Sequence, residues 1–252
     1  MSGAMNAAEQ VTAKATGPES LSAESRATAA RLAESYRVSP LDMVSNPSPL
    51  LVESTEEVAV PTPNGLFGLR AWRFADGAEH LSARALDRDG NPVPYEGGGA
   101  PAVRIHSECA TGDIFGSFRC DCGPQLENGL RIIGRTGGYL VYVRNHEGRG
   151  IGLVNKLRAY ALQDAGLDTL DANLALGLDG DMRDYSQAAL ILQELGVHEM
   201  RLVTNNPAKQ EALEGLGLRV TELIPDEIPA RVENAHYLQT KRERMRHVLK
   251  SA

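Results

Sequence analysis

The sequence predicts an α/β fold, and three observations carry that expectation. From Ala102 onward, short runs rich in β-branched and aromatic residues alternate with helical patterns. Helix-start and helix-stop residues, such as Asn206-Pro207 and Gly217, punctuate those patterns. A hydrophobic content of 42% over 252 residues is enough for one sizeable core.

Each element follows from local chemistry. Residues 1–20 are rich in Ala, Thr, Ser and Gly, lack periodicity and are expected to be disordered. Ser22 to Tyr36 is alanine-rich, with Leu32 and Tyr36 one turn apart, so a short helix is expected over 22–36. Ser39 to Ser54 contains three prolines and reads as a linker. Residues 1–55 are thus expected to be an extension dispensable for chemistry, with the catalytic domain over 56–252. Leu66 to Phe74 alternates as a strand does, and Asp87 to Gly99, with its Pro and Gly residues, reads as a loop. Ala102 to His106 is a strand that delivers the cysteine segment. Pro124 to Arg135 places Leu126, Leu130 and Ile133 on one helical face. Tyr139 to Val143 is a buried-type strand. A helix from Gly152 to Asp164 carries an apolar stripe of Leu153, Leu157 and Tyr160. Tyr185 to Leu195 forms a helix with Ala189 and Leu192 on its core face. Strands over Arg201 to Thr204 and Val220 to Leu223 bracket a helix that Asn206 caps. Tyr237 to Leu249 reads as an exposed, charged helix.

Composition excludes several functions. A net charge of -7 and 5% aromatic residues argue against a broad nucleic-acid surface or a base-stacking platform. No apolar run approaches the roughly 20 residues that span a bilayer. The segment Met1-Ser-Gly-Ala-Met-Asn lacks a secretory pattern, so a reducing cytoplasm is expected.

The chemistry concentrates where the cysteines are. All three, Cys109, Cys120 and Cys122, lie in one stretch. Disulfide frameworks use even numbers, so a crowded odd set reads either as a metal site or as three reduced cysteines that happen to be neighbours. Three thiolates leave the fourth tetrahedral position of a zinc ion open, as catalytic zinc requires. Side-chain alternation along an extended segment would put Cys120 and Cys122 on one side. Asp113 and Asp121 read either as supports for a metal or as turn formers beside Gly112 and Gly123.

Further candidates sit at strand–helix junctions. Glu147-Gly-Arg-Gly-Ile-Gly152 fits phosphate binding through Arg149 and free helix N–H groups, or a plain strand–helix turn. Thr204-Asn-Asn-Pro-Ala-Lys209 puts a lysine in a first helical turn, where cations are disfavoured without an anionic ligand. Asp179-Gly-Asp-Met-Arg-Asp-Tyr185 reads either as a charged helix start or as a phosphate site built on Asp181 and Arg183.

Taken together, these motifs resemble the GTP cyclohydrolase II family over residues 56–249. Arg104-x-His-Ser-Glu-Cys-x-Thr-Gly-Asp113, Arg119-Cys-Asp-Cys-Gly-x-Gln-Leu126, Glu147-Gly-Arg-Gly-Ile-Gly-Leu-x-Asn-Lys-x-Arg-Ala-Tyr160, Arg183-Asp-Tyr185 and Thr204-Asn-Asn-Pro-x-Lys209 stand in the family's order. The resemblance implies a mixed β-sheet flanked by helices and hydrolytic opening of the guanine ring of GTP in riboflavin biosynthesis, with loss of formate and pyrophosphate. It implies Zn2+ on Cys109, Cys120 and Cys122, and Mg2+ with the triphosphate. GTP contacts fall to Arg104, Ile105, His106, Ser107, Glu108, Gln125, Glu147, Gly148, Arg149, Thr169, Thr204 and Lys209. Arg183 is implied as nucleophile toward the α-phosphorus, Asp181 as proton acceptor and Tyr160 as a ring-opening residue. A homodimer is implied, with no nucleic-acid or membrane partner. A diverged relative would stop at a formamide product or take another nucleotide; a non-catalytic zinc module would normally show four protein ligands.

One departure concerns Asn145-His146, where many members have Arg-Gln. If these residues line the nucleotide pocket, affinity is expected to weaken as pH rises through the histidine pKa; if both face solvent, they change nothing. The segment between Leu81 and Val103 is also longer and more loop-like than usual in the family.

Overall fold

A computed structural model of the chain describes residues 21–36 and 48–234, with Leu238 and Arg242. The disorder expected over 1–20, and the 237–249 helix apart from those two residues, lie outside the described residues. The architecture is the expected α/β one: a mixed sheet of eight strands, with helices on both faces.

The sheet has an antiparallel and a parallel half. Strands β1 (Leu51–Ser54) and β2 (Val58–Thr62) share one edge of the long β3 (Gly65–Phe74), whose other edge pairs with β4 (Glu79–Leu86). Strand β5 (Ala102–Ser107) lies between β6 (Gly138–Val143) and β7 (Glu199–Val203), parallel to both. β6 joins the halves by pairing antiparallel with β4, and β8 (Arg219–Ile224) extends the parallel half beyond β7.

Alternation along the central strands builds two cores. Val103 and Ile105 of β5 and Tyr139, Val141 and Val143 of β6 meet α6 (Ser186–Glu194) through Ala188, Ile191 and Leu192. On the opposite face, Leu140 and Phe67 meet α3 (Cys122–Thr136) through Ile133, Leu126 and Leu130. Each fully buried large side chain, such as Ile105 or Ile133, contributes about 1.5–3 kcal/mol. Arg104 and His106 alternate with Val103 and Ile105, so they point away from the first core. Gly129 of α3 gives Arg104 room, because a Cβ there would sit 3.1 Å from its Cγ.

A third cluster is helical. Helices α4 (Leu153–Asp164) and α5 (Thr169–Ala175) pack with α1 (Ala23–Ser35) through Ala159, Leu162, Ala172 and Ala29. A single helical turn, α2 (Ala110–Asp113), follows the first cysteine, and α7 (Pro207–Gly215) follows β7.

Several expectations need correction. The expected linker ends in β1, and α1 packs against α4, so a cut near Ser54 removes a strand and a helix rather than a loose tail. The stretch from Leu81 begins as β4, which lacks clean alternation because most of it is buried. On α4 the expected stripe faces the wrong way. Leu153 and Leu157 are exposed, while Asn155, Lys156, Ala159 and Leu162 are buried. Burial of the polar pair is compensated: Asn155 Nδ2 donates to the Ile151 carbonyl at 2.9 Å, and Lys156 meets Glu147 and Cys109.

Candidate active site

The site lies beyond the carboxyl ends of β5, β6 and β7, where ligands bind in open parallel sheets. Cys109 follows β5 and caps α2, Cys120 lies just before α3, and Cys122 opens that helix. A helix start, not strand alternation, therefore brings Cys120 and Cys122 together. The Cys109 and Cys120 sulfurs are 3.7 Å apart, and all three sulfurs lie within 4.8 Å of one another. Two thiolates about 2.3 Å from a tetrahedral zinc would stand about 3.8 Å apart. The donor set thus fits one such ion. Gly112 makes the cluster sterically feasible: a Cβ there would lie 2.9 Å from the Cys120 sulfur.

The cluster is held electrostatically. Asp113 accepts from the Cys109 amide at 3.0 Å and from the Tyr142 hydroxyl at 2.8 Å, and it pairs with His106 Nε2 at 3.1 Å. It supports the ligand loop. Asp121 accepts from Gln125 at 2.6 Å. Hydrogen bonds from the other two thiols, aided by the Lys156 ammonium, hold Cys109 well below the ordinary thiol range. Burial opposes the Lys156 charge, but the Cys109 thiolate and Glu147 outweigh it and raise its pKa.

Beyond Lys156, which is held at the cluster itself, further cations line the same pocket. Among the described residues these are Arg104, Arg119, Arg149, Arg183 and Lys209, against one carboxylate, Glu108. An acidic protein thus presents a local positive field suited to a polyanion. Arg104 reaches the Val203 carbonyl at 3.0 Å, Gln125 at 3.2 Å and the buried Asp226 at 2.9 Å. Lys209 donates to the Ile105 carbonyl at 2.7 Å; burial, then the Arg104 and Arg183 charges, pushes its pKa well down. Arg149 adopts a left-handed φ of 71°, between glycines at 148, 150 and 152 with φ of 59°, 89° and 82°. Arg183 binds Asp181 through two nitrogens, Nε at 2.8 Å and NH2. Burial would raise Asp181, but Arg183 holds it below the usual carboxylate value.

The remaining sequence candidates divide. Ser107, Glu108, Gln125, Gly148, Thr169 and Tyr160 line the pocket. The Tyr160 hydroxyl lies 3.4 Å from Thr111 Oγ1, and the Arg119 guanidinium stands 4.3 Å over its ring. The Ile105 side chain instead sits in the hydrophobic core, leaving only its carbonyl near the site. Thr204 accepts from the Asn206 amide at 3.1 Å, shaping the turn before α7. Glu147 turns inward to Ala110 N, Gly148 N and Lys156. Sequence reasoning missed Lys156, Arg119 and Asn173. The Asn155-Lys156 pair inside an apolar helix was the available signal for Lys156.

His146 corrects the pH expectation. It does line the pocket, but it is buried; Nδ1 pairs with Ser107 Oγ at 3.1 Å, and Nε2 reaches the Asp184 carbonyl at 2.8 Å. A carbonyl only accepts, so Nε2 carries the proton and Nδ1 accepts from the hydroxyl. Burial, then the Arg183 charge, pushes its pKa down to about 3. Profiles of KM against pH for the native chain and His146→Gln should superimpose between about pH 6 and 8.5, the range around an ordinary histidine pKa. The histidine's effect belongs to stability. Its pKa is lower folded than unfolded, so its contribution is complete above the unfolded value of 6.5 and is lost as pH falls toward about 3. In that window, urea titrations should show the native chain losing stability faster than His146→Gln. The neighbouring Asn145 has φ of 68°, a left-handed conformation that asparagine tolerates better than most residues.

Comparison with known proteins gives the same direction. A family model described as GTP cyclohydrolase II matches residues 53–225. The riboflavin biosynthesis protein RibBA of Rhodococcus jostii (strain RHA1) is 52% identical over 200 residues, covering 79% of this chain and 47% of that protein. The RibBA proteins of Mycobacterium marinum and Mycobacterium tuberculosis (strain H37Rv) are each 51% identical over 199 residues, or 79% of this chain and 46% of theirs. The chain thus spans about half the length of the curated relatives it matches.

Proposed function

The chain belongs to the GTP cyclohydrolase II family, and on that premise we propose that it hydrolyses GTP to formate, pyrophosphate and 2,5-diamino-6-(5-phosphoribosylamino)pyrimidin-4(3H)-one, the first step of riboflavin biosynthesis. The observation that carries this reading is the convergence of a three-thiol cluster and five cations, Arg104, Arg119, Arg149, Arg183 and Lys209, on one pocket. Zinc on Cys109, Cys120 and Cys122 would supply Lewis acidity for the hydrolytic attack at C8 of the purine. Mg2+ would accompany the triphosphate.

The chain's own residues account for the phosphate step. A guanidinium nitrogen of Arg183 forms a bond to the α-phosphorus as the bond to pyrophosphate breaks; after ring opening, water cleaves that P–N bond, which leaves the 5′-phosphate on the product and restores Arg183. Asp181, already bonded to that guanidinium, takes the proton the nitrogen loses. Lys209 and Arg149 hold the triphosphate, and the Tyr160 hydroxyl, beside Thr111 and the cluster, serves ring opening. Free thiols suit a reducing cytoplasm.

Incubation with GTP and Mg2+, scoring formate, pyrophosphate and the pyrimidine by mass spectrometry, tests the reading. Equimolar products are expected. Absence of turnover with zinc-loaded protein overturns it; a formamide product marks a diverged relative.

A homodimer belongs to the same proposal. The outer face of α4 exposes Leu153, Val154 and Leu157, a grouping that commonly marks an interface. Light scattering should show a dimer for the native chain and a monomer for Leu157→Asp. A mutant that keeps the native mass would remove this face from the interface.

A further inference from the structure

Lys156 has no role in the chemistry above, yet it is among the most constrained cations of the molecule. It is buried on α4, a helix whose leucines at 153 and 157 face outward. The inner face of that helix buries Ala159 and Leu162, but in its first turn the leucines face out and the lysine faces in. What holds the ammonium inside is polar: Nζ lies 3.0 Å from the Cys109 sulfur and bonds Glu147 Oε1. The other Glu147 oxygen accepts from Ala110 N at 2.6 Å. The contacts therefore close a ring, from the Cys109 sulfur through Lys156 and Glu147 to the backbone beside Cys109.

We propose that Lys156 is a positioning residue of the metal centre, fixing the Cys109 thiolate and balancing the site's charge. The inference rests on the zinc reading above. Three thiolates and one divalent ion leave a net charge of about -1, which is costly to bury unpaired. One ammonium cancels it. The compact lysine charge suits a single sulfur, where a planar guanidinium would favour a bidentate partner. Glu147 keeps the lysine aimed and couples the glycine-rich turn to the ligand loop, so the phosphate-binding and metal-binding halves share one support. Hydrogen-bonding partners behind metal ligands typically change metal affinity by about 10–100-fold.

The test measures zinc affinity of the full chain by competition with a chromophoric chelator, in Lys156→Met and Lys156→Gln. Circular dichroism checks the fold of each variant. Both should bind zinc about 10–100-fold more weakly than the native chain, with the KM for GTP at saturating zinc changed much less. Native zinc affinity in either folded variant overturns the proposal. So does a raised KM with unchanged affinity, because that would make Lys156 a substrate contact. If neither variant folds, Glu147→Gln decides: it keeps Lys156 but breaks the closed ring, and native zinc affinity there also overturns the proposal. Failure of the zinc reading would look different, since the native chain itself would then hold no stoichiometric zinc.

Discussion

Cys120→Ser is expected to lose zinc and, with it, formate release. The Cys120 sulfur lies 3.7 Å from that of Cys109, and Gly112 packs against both. A serine hydroxyl is a harder, shorter and mostly protonated donor, so it cannot replace a thiolate in a soft three-sulfur set. Losing several kcal/mol of Lewis-acid stabilisation corresponds to a fall of about a thousandfold or more. Pyrophosphate release should survive in part, because the proposed phosphate step rests on Arg183 and Asp181 and uses no cysteine. Gly112→Ala should weaken zinc with every ligand still present, since its methyl would stand 2.9 Å from the Cys120 sulfur. Elemental analysis and separate assays of the two products check both variants. Stoichiometric zinc in Cys120→Ser would sink the ligand assignment.

Arg183→Ala should stop both halves of the reaction. If the phosphate step comes first, no ring-opening substrate forms without it. Arginines that meet transferring phosphoryl groups contribute about 10³–10⁵-fold, so pyrophosphate and formate should fall together by at least the lower figure. Arg183→Lys should recover little, because an ammonium cannot keep the two-nitrogen grip on Asp181. The proton acceptor would then lose its alignment. Normal formate production by Arg183→Ala would contradict the order of steps and free Asp181 from its assigned role.

Much of the site was legible before any tertiary structure. The three cysteines and the Arg183 and Lys209 neighbourhoods announce themselves because the chemistry demands particular residue types within a few positions. The strands β5 to β8 were legible as well: β6 reads as the continuous apolar run of a buried parallel strand, and helix-start and helix-stop residues mark off β7 and the mostly exposed β8. β1, β2 and β4 were harder to see: β1 follows a proline-rich stretch, β2 contains Pro61, and β4 is mostly buried and lacks a clean alternation.

What the sequence determined by itself is the α/β class of the parallel half and the crowding of its three cysteines into one cluster. Tertiary structure alone decided which way α4 faces. Leu153 and Leu157 define a stripe, but a periodicity does not say whether the core or the solvent lies beneath it. Only the position of Cys109, far away in sequence, and of Glu147, in the turn before the helix, makes the inside of that helix a place for an ammonium. His146 was decided in the same way. A histidine beside a glycine-rich turn reads as a pH sensor until Ser107 and Asp184 occupy both of its nitrogens and burial removes its charge. The physical reason is shared: residue type sets what a side chain can do, while burial and its distant partners set which of those things it does.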